Sequence, residues 1–254
     1  MLSTTTPTEP ARASRVQRVR HEIVRRELTV LRTERLSPHL LAVTVGGPQL
    51  AGFTSLSFDD HLKVMLPGAD GAPVMRDYTP RRHDAQAQTL TVEFALHGGG
   101  QADEWASRLQ PGDTFRIGGP RGSMVIPLDY DWHVLAGDLS AVPAMRRRLD
   151  ELPAGARVQV IALWDDPADD VLLQPPAGLR AALQFTRDPQ AFLAAMAALR
   201  LPAGEGYVWC AGDADTMRQA REVWLHQQRQ PKEALRVAAY WKHGASDFHE
   251  RLEG

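Results

Sequence analysis

Residues 132–141 read Trp132-His133-Val134-Leu135-Ala136-Gly137-Asp138-Leu139-Ser140-Ala141. A mostly apolar strand ends on a glycine, and a helical stretch opens directly after it at 142–152. Such an apolar run, without polar alternation, is what a strand buried on both faces requires. The unit repeats toward the C terminus. Strands are expected at 157–164, 182–185, 206–212 and 236–241, and helices at 189–199 and 214–228, with a last helical stretch at 245–252. Strands that alternate with helices imply a parallel sheet covered on both faces, a nucleotide-type α/β domain.

Upstream the pattern is different. Leu40-Leu41-Ala42-Val43-Thr44-Val45 and the segment 89–96 are short and rich in β-branched residues, and 61–66 alternates polar with apolar. Glycine and proline clusters punctuate them at 46–48, 67–68, 98–100, 111–113 and 118–120, with one helix expected at 101–109. Several short strands between regular turn signals predict a small antiparallel, Greek-key-like β-barrel. The expected organisation is a tail over 1–15, a barrel domain over 16–129 and an α/β domain over 130–254. The basic stretch at 15–28 reads as a solvated approach to the first strand. In a two-part design the cleft between the domains is the expected ligand site.

Composition narrows the function. Net charge is −2 over 254 residues, so no global field draws the chain to nucleic acid or a membrane. No apolar run approaches the roughly 20 residues of a membrane span, and the N-terminal stretch lacks the apolar segment of a secretory signal. A single cysteine, Cys210, forbids an internal disulfide and fits a reducing compartment. The histidines show no close metal-ligand spacing, and no protein metal site is expected. Positive charge is almost all arginine. The lysines are Lys63, Lys232 and Lys242.

The segment that carries most chemistry is Arg76-Asp77-Tyr78-Thr79-Pro80-Arg81. Tyr78 offers a flat face and an edge hydroxyl, Thr79 a hydroxyl and backbone groups, and Arg76 a charge for a phosphate or for a ring gaining electron density. A strand edge with an exposed arginine explains the same residues. His97 reads equally as a structural turn histidine. Asp165 and Asp166, after a strand, suit a ribose hydroxyl or a solvated turn.

In order along residues 16–250, five stretches resemble one family. Arg76-Asp77-Tyr78-Thr79 resembles the R-x-Y-T flavin motif of the ferredoxin–NADP reductase superfamily. The others are 92–98 with Ala102, Trp105 and Ala106; Gly112-Asp113 with 117–123; 136–144; and Tyr240-Trp241-Lys242 with Gly244. The set is similar to siderophore-interacting proteins, which are FAD-binding ferric-siderophore reductases.

The resemblance implies a cytoplasmic monomer that passes electrons from NADPH or NADH, or from a ferredoxin, through FAD to iron(III) in a siderophore or other ferric chelate. No catalytic side chain is expected. A flavin reductase with another acceptor, or a non-enzymatic siderophore carrier, remains a rival. The resemblance gives Arg76, Asp77, Tyr78 and Thr79 to the flavin. It sets His97, Gly98, Gln101, Ala102 and Trp105 at its pyrophosphate. Gln101 replaces the family's proline, and Asp103 brings like charge to that phosphate. Asp138, Ser140 and Ala141 fall to the nucleotide or nicotinamide arm, and Tyr240, Trp241 and Lys242 to the chelate. Cys210 occupies the place of a superfamily cysteine near the nicotinamide, or is a small buried hydrophobe.

Overall fold

The computed structural model describes residues 15–68, 71–244 and 250–251. The expected tail up to residue 14, and most of the helix expected over 245–252, lie outside them. Among the described residues no helix is long and apolar enough to cross a membrane.

The N-terminal half contains β1 (Gln17–Arg20), β2 (Arg25–Ser37), β3 (Leu40–Gly46), β4 (Leu62–Leu66), β5 (Val74–Tyr78), β6 (Pro80–Asp84) and β7 (Thr89–Ala95). After these come helix α1 (Gln101–Arg108), β8 (Thr114–Gly118) and β9 (Gly122–Val125). Seven of the strands curl into one antiparallel sheet in the order β5-β4-β8-β2-β3-β7-β6, and β1 pairs separately with β9. Alternation drives the curl. Leu28 and Val30 of β2, Val43 and Val45 of β3, Val64 of β4 and Leu90 and Val92 of β7 all point inward to a core shared with Phe94, Phe115 and Ile117. Helix α1 closes one side, with Ala106 buried and Ala102 and Trp105 packed on that core.

The basic segment at 15–28 therefore contains β1 and the start of β2 and is not a solvated approach. Arg26 is buried because its guanidinium donates to the carbonyls of Gln49, Val24 and Gly119. The neighbouring arginines take the outward positions.

The second half contains β10 (Trp132–Asp138), α2 (Val142–Glu151), β11 (Arg157–Leu163), β12 (Arg180–Thr186), α3 (Pro189–Ala198), β13 (Gly206–Asp213), α4 (Ala214–Glu222) and β14 (Leu235–Trp241). They form a parallel sheet in the order β12-β11-β10-β13-β14. One face packs Leu135, Val160 and Trp209 on Met145 and Leu149 of α2. The other packs Val134, Ala136 and Val208 on Phe192 and Met196 of α3 and Met217 of α4. Gly137 lies where β10 turns into α2. A Cβ there would sit 2.4 Å from the Ala211 carbonyl oxygen and 2.5 Å from the Ala141 Cβ, so no side chain fits.

Two expected helices differ. The one expected to 228 ends at Glu222 and continues as a wider π turn over Val223–Gln227. Of the helix expected over 245–252, the described part, Glu250–Arg251, pairs antiparallel with β14 as a short strand.

Helix α2 docks the halves. Arg146 bonds Glu93 on β7. Arg147 donates to the Ser55 hydroxyl at 2.8 Å and the Pro80 carbonyl at 2.8 Å. Arg148 donates to the Ile126 and Pro127 carbonyls and lies over the Phe58 ring. Burial lowers the Arg148 guanidinium to about 10, so it stays charged at neutral pH. From the barrel side, Asp59 accepts from Trp209 Nε1 at 2.8 Å and Arg236 Nε at 2.9 Å, both in the second half.

Candidate functional site

Strand β5 is an edge of the barrel sheet. Its two-residue period sends Arg76 and Tyr78 to one face and Asp77 to the other. The Tyr78 ring lies 4.3 Å from the Phe94 ring at 46°, and Phe94 meets Trp105 edge-on at 6.1 Å. The phenol is thus fixed from below while the residue stays half-buried. Burial raises its hydroxyl, and the nearby Arg76 charge only partly offsets this, so Tyr78 is a neutral donor. Arg76 donates to its neighbour's carbonyl, that of Met75, at 2.9 Å. Asp77 takes the Lys63 ammonium at 2.8 Å, and Thr79 is buried.

Downstream of β7 the chain passes through Gly98, Gly99 and Gly100. Gly98 (φ 77°) and Gly100 (φ 98°) lie in the left-handed region, and a Cβ on any of the three would meet nothing within 4 Å. The backbone N–H groups of His97, Gly98 and Gly99 converge on one oxygen, Asp103 Oδ2, at 3.0, 2.9 and 3.2 Å. Consecutive N–H groups that share one anionic oxygen form an anion nest. Burial alone would push the Asp103 carboxyl up, but these bonds outweigh it and hold the group below the usual range. Gly100 caps α1 with no side-chain bond, so the helix start offers its own donors outward. The Gln101 side chain is spent on the Pro67 carbonyl. His97 is largely exposed, its ring 3.5 Å from Asp103.

At the C-terminal edge of the parallel sheet, Asp138 accepts from Ser140 N and Oγ, from Asp213 N at 2.9 Å and from Trp241 Nε1 at 2.8 Å. Burial raises its carboxyl despite these donors. Asp138 therefore ties β10, β13 and β14 together. Ala141 is fully buried, and Ser140 is half-buried beside it. The 3₁₀ turn carrying both (Leu139–Ala141) packs against β7, the strand that holds Phe94 under Tyr78. The barrel cluster and the sheet edge are thus brought to one strand. Tyr240 approaches Asp59 at 3.5 Å and Trp241 faces Asp138, so both of their polar groups are turned inward. Lys242 follows, half-buried. Cys210 is fully buried in the core beside α4, and burial pushes its thiol up to about 12, which makes it an inert hydrophobe.

Sequence reading missed the Asp59 junction, whose partners lie 150 and more residues away. It also missed a cluster of His39, Asp166 and Asp169, brought together across the two halves. Asp166 itself accepts from Ala168 N as a turn cap.

A flat phenol on an edge strand, an open glycine loop already holding an anionic oxygen and an uncapped helix start fit a planar ring with a diphosphate. With a curled antiparallel sheet leading into a five-stranded parallel one, the chain has the fold of phthalate dioxygenase reductase, on which it superposes with a TM-score of 0.61 at 17% identity, covering 88% of this chain and 70% of that one. Residues 130–244 match the model of the siderophore-interacting protein family, and 29–72 and 69–124 match that of its siderophore-interacting FAD-binding domain. The chain belongs to the siderophore-interacting protein family. It is 36% identical over 247 residues to the NADPH-dependent ferric-chelate reductase of Escherichia coli, covering 89% of this chain and 96% of that one. It is 31% identical over 252 residues to the ferric vibriobactin reductase of Vibrio cholerae, covering 89% and 93%. The crystal structure of a siderophore utilization protein from T. fusca superposes with a TM-score of 0.85 at 29% identity, covering 92% and 98%.

Proposed function

We propose that the protein is an FAD-dependent reductase of ferric siderophores or related ferric chelates, with NADPH as the electron donor. The observation that carries this reading is the anion nest of residues 97–99 on the same strand connection as the Tyr78–Phe94 pair. On this reading residues 16–129 form the flavin half and 130–254 the nicotinamide half, working as a cytoplasmic monomer. Bound FAD supplies the chemistry: it takes a hydride and releases electrons singly.

The chain's residues supply position and charge. Tyr78 offers its neutral hydroxyl and ring face to the isoalloxazine, and Arg76 offers positive charge beside it. Thr79 adds backbone groups, and Asp77 holds the strand edge through Lys63. The N–H groups of His97 and Gly98 and the first turn of α1, from Gln101 and Ala102, face the pyrophosphate. Trp105 supports Phe94 from behind. Ser140 and Ala141 bring the nicotinamide edge to β7, with Asp138 as the brace of that turn. Lys242 draws an anionic ferric chelate, whose hard oxygen ligands let the iron go once it is divalent.

The inward bonds of Tyr240 and Trp241 favour a second reading, in which the acceptor is not held by these rings and a ferredoxin-type partner serves as donor or acceptor. One experiment separates the readings. Under anaerobic conditions NADPH should bleach the bound flavin. A ferric chelate should then restore its colour, with iron(II) trapped by a dye. Lys242→Ala should raise KM for anionic chelates about threefold, the size of one exposed charge, while flavin content is unchanged. Protein that purifies colourless and cannot be reconstituted with FAD contradicts both readings.

A further inference from the structure

Among the described residues, the proposed function leaves a cluster of metal-ligating side chains unused. His39 sits in the tight turn between β2 and β3. Asp166 caps the 3₁₀ turn Pro167–Leu172 of the second half, and Asp169 lies inside that turn. His39 Nδ1 is 2.9 Å from Asp169 Oδ2 and 3.8 Å from Asp166 Oδ2, and the three ligand atoms lie within 4.8 Å of one another. Tetrahedral coordination at metal–ligand distances near 2.1 Å sets ligand atoms about 3.4 Å apart, so a small turn of the Asp166 side chain completes the spacing.

A second observation points to a cation. Asp169 is 0% exposed, and its Oδ1 has no hydrogen-bond partner. Buried carboxylates are paired, fully hydrogen-bonded or bound to a metal. The single contact from a half-exposed imidazole satisfies only the other oxygen. Arg187, which feels the charge of Asp166, donates instead to Asp170 at 2.7 Å. Two carboxylates therefore face one imidazole. His39 and Asp166 are each 41% exposed, so the open side is reachable and leaves room for water ligands.

From this geometry we infer that His39, Asp166 and Asp169 form a divalent transition-metal site joining the barrel to the α/β half. One nitrogen and two carboxylate oxygens suit Zn²⁺, Mn²⁺ or Fe²⁺. The site pins more than a surface turn. The His39 carbonyl accepts from Leu96 N at 2.8 Å, one residue before the loop that forms the anion nest. A metal at His39 thus stiffens the approach to that loop from the opposite half.

The test uses the full chain with its flavin, stripped of metal by a chelator and titrated with Zn²⁺ and then Mn²⁺ by calorimetry. One equivalent should bind and raise the melting temperature. His39→Gln and Asp166→Asn, both at accessible positions, should each weaken binding by at least about tenfold and abolish the thermal shift. In chelator Asp166→Asn should melt as the parent does, while His39→Gln, which also alters a contact of the buried Asp169 carboxylate, is read by metal binding alone. Weakened binding in either variant supports the site. Unchanged binding in both, or no binding to the parent below millimolar metal, overturns it. The readout is independent of reductase activity, so it stands or falls apart from the proposed function.

Discussion

Two buried carboxylates of the barrel half each gather several donors, and the origin of those donors separates them. Asp59 takes Trp209, Arg236 and Tyr240, all from the other half and 150 to 181 residues away. Asp103 takes the N–H groups of His97, Gly98 and Gly99, four to six residues away. The first network exists only when the two halves are docked. The second forms within one loop, and any anionic oxygen can replace its acceptor. The junction is therefore closed chemistry, and the loop is exchangeable chemistry. A binding site has to be of the second kind.

The largest effect should come from breaking the closed network. Asp59→Ala takes from the largely buried Arg236 guanidinium the carboxylate whose charge favours its protonated form. Removing one member of a buried pair costs about 3–5 kcal/mol. Denaturant unfolding should show that loss, while Asp59→Asn, which keeps the acceptor for Trp209, should lose less. Equal losses for the two variants would mean that the charge at Asp59 alone, and not its acceptor for Trp209, holds the junction.

The junction should also be acid-sensitive. His133 is 1% exposed, and burial, aided by the Arg148 charge, lowers its imidazole to about 4. The folded protein then binds fewer protons than the unfolded chain between pH 4 and 6.5. Stability contributed by the neutral ring is complete above the unfolded value near 6.5 and is lost as pH falls toward 4. The shift corresponds to roughly 3 kcal/mol across that window. His133→Asn keeps a polar group toward the Leu128 carbonyl and cannot take up the proton. Its stability should be flatter over the same range in unfolding measured at stepped pH.

The same contrast explains what could be read from sequence. The parallel-sheet half was legible because each strand is a local apolar run and each helix follows at once; α2 was expected at 142–152 and spans Val142–Glu151. The Tyr78 and His97 segments were legible as family motifs. The opening strands were not. β2 carries arginine at 25, 26, 32 and 35, and a buried arginine such as Arg26 is satisfied only by carbonyls that tertiary folding brings near. Asp59 and the three arginines of α2 look like solvated charges until the halves meet. His39 and Asp169 are 130 residues apart, so no spacing rule could join them. Asp103 was legible as a like charge near a phosphate. Its bonds to the loop depend on left-handed backbone at Gly98 and Gly100, which composition suggests but does not dictate.

The smallest predicted effect is also the most direct test of exchange. If a pyrophosphate oxygen uses the nest, Asp103 must yield the three N–H groups, and its charge opposes the incoming phosphate. Asp103→Asn keeps an acceptor oxygen and removes that charge. The variant should lose about 1 kcal/mol of stability without FAD, roughly the difference between a hydrogen bond to a charged acceptor and one to a neutral acceptor. It should bind FAD a few-fold more tightly, since less is given up on exchange. Both follow from one titration of flavin fluorescence against apoprotein, paired with thermal unfolding. Acid should mimic the first effect in the parent. The Asp103 carboxyl is held below its usual value, so its contribution is present above the unfolded value and is lost as pH falls through the folded one. Unchanged FAD affinity in Asp103→Asn would place the pyrophosphate away from the nest and leave Asp103 as a fixed brace of the loop, of the same kind as Asp59.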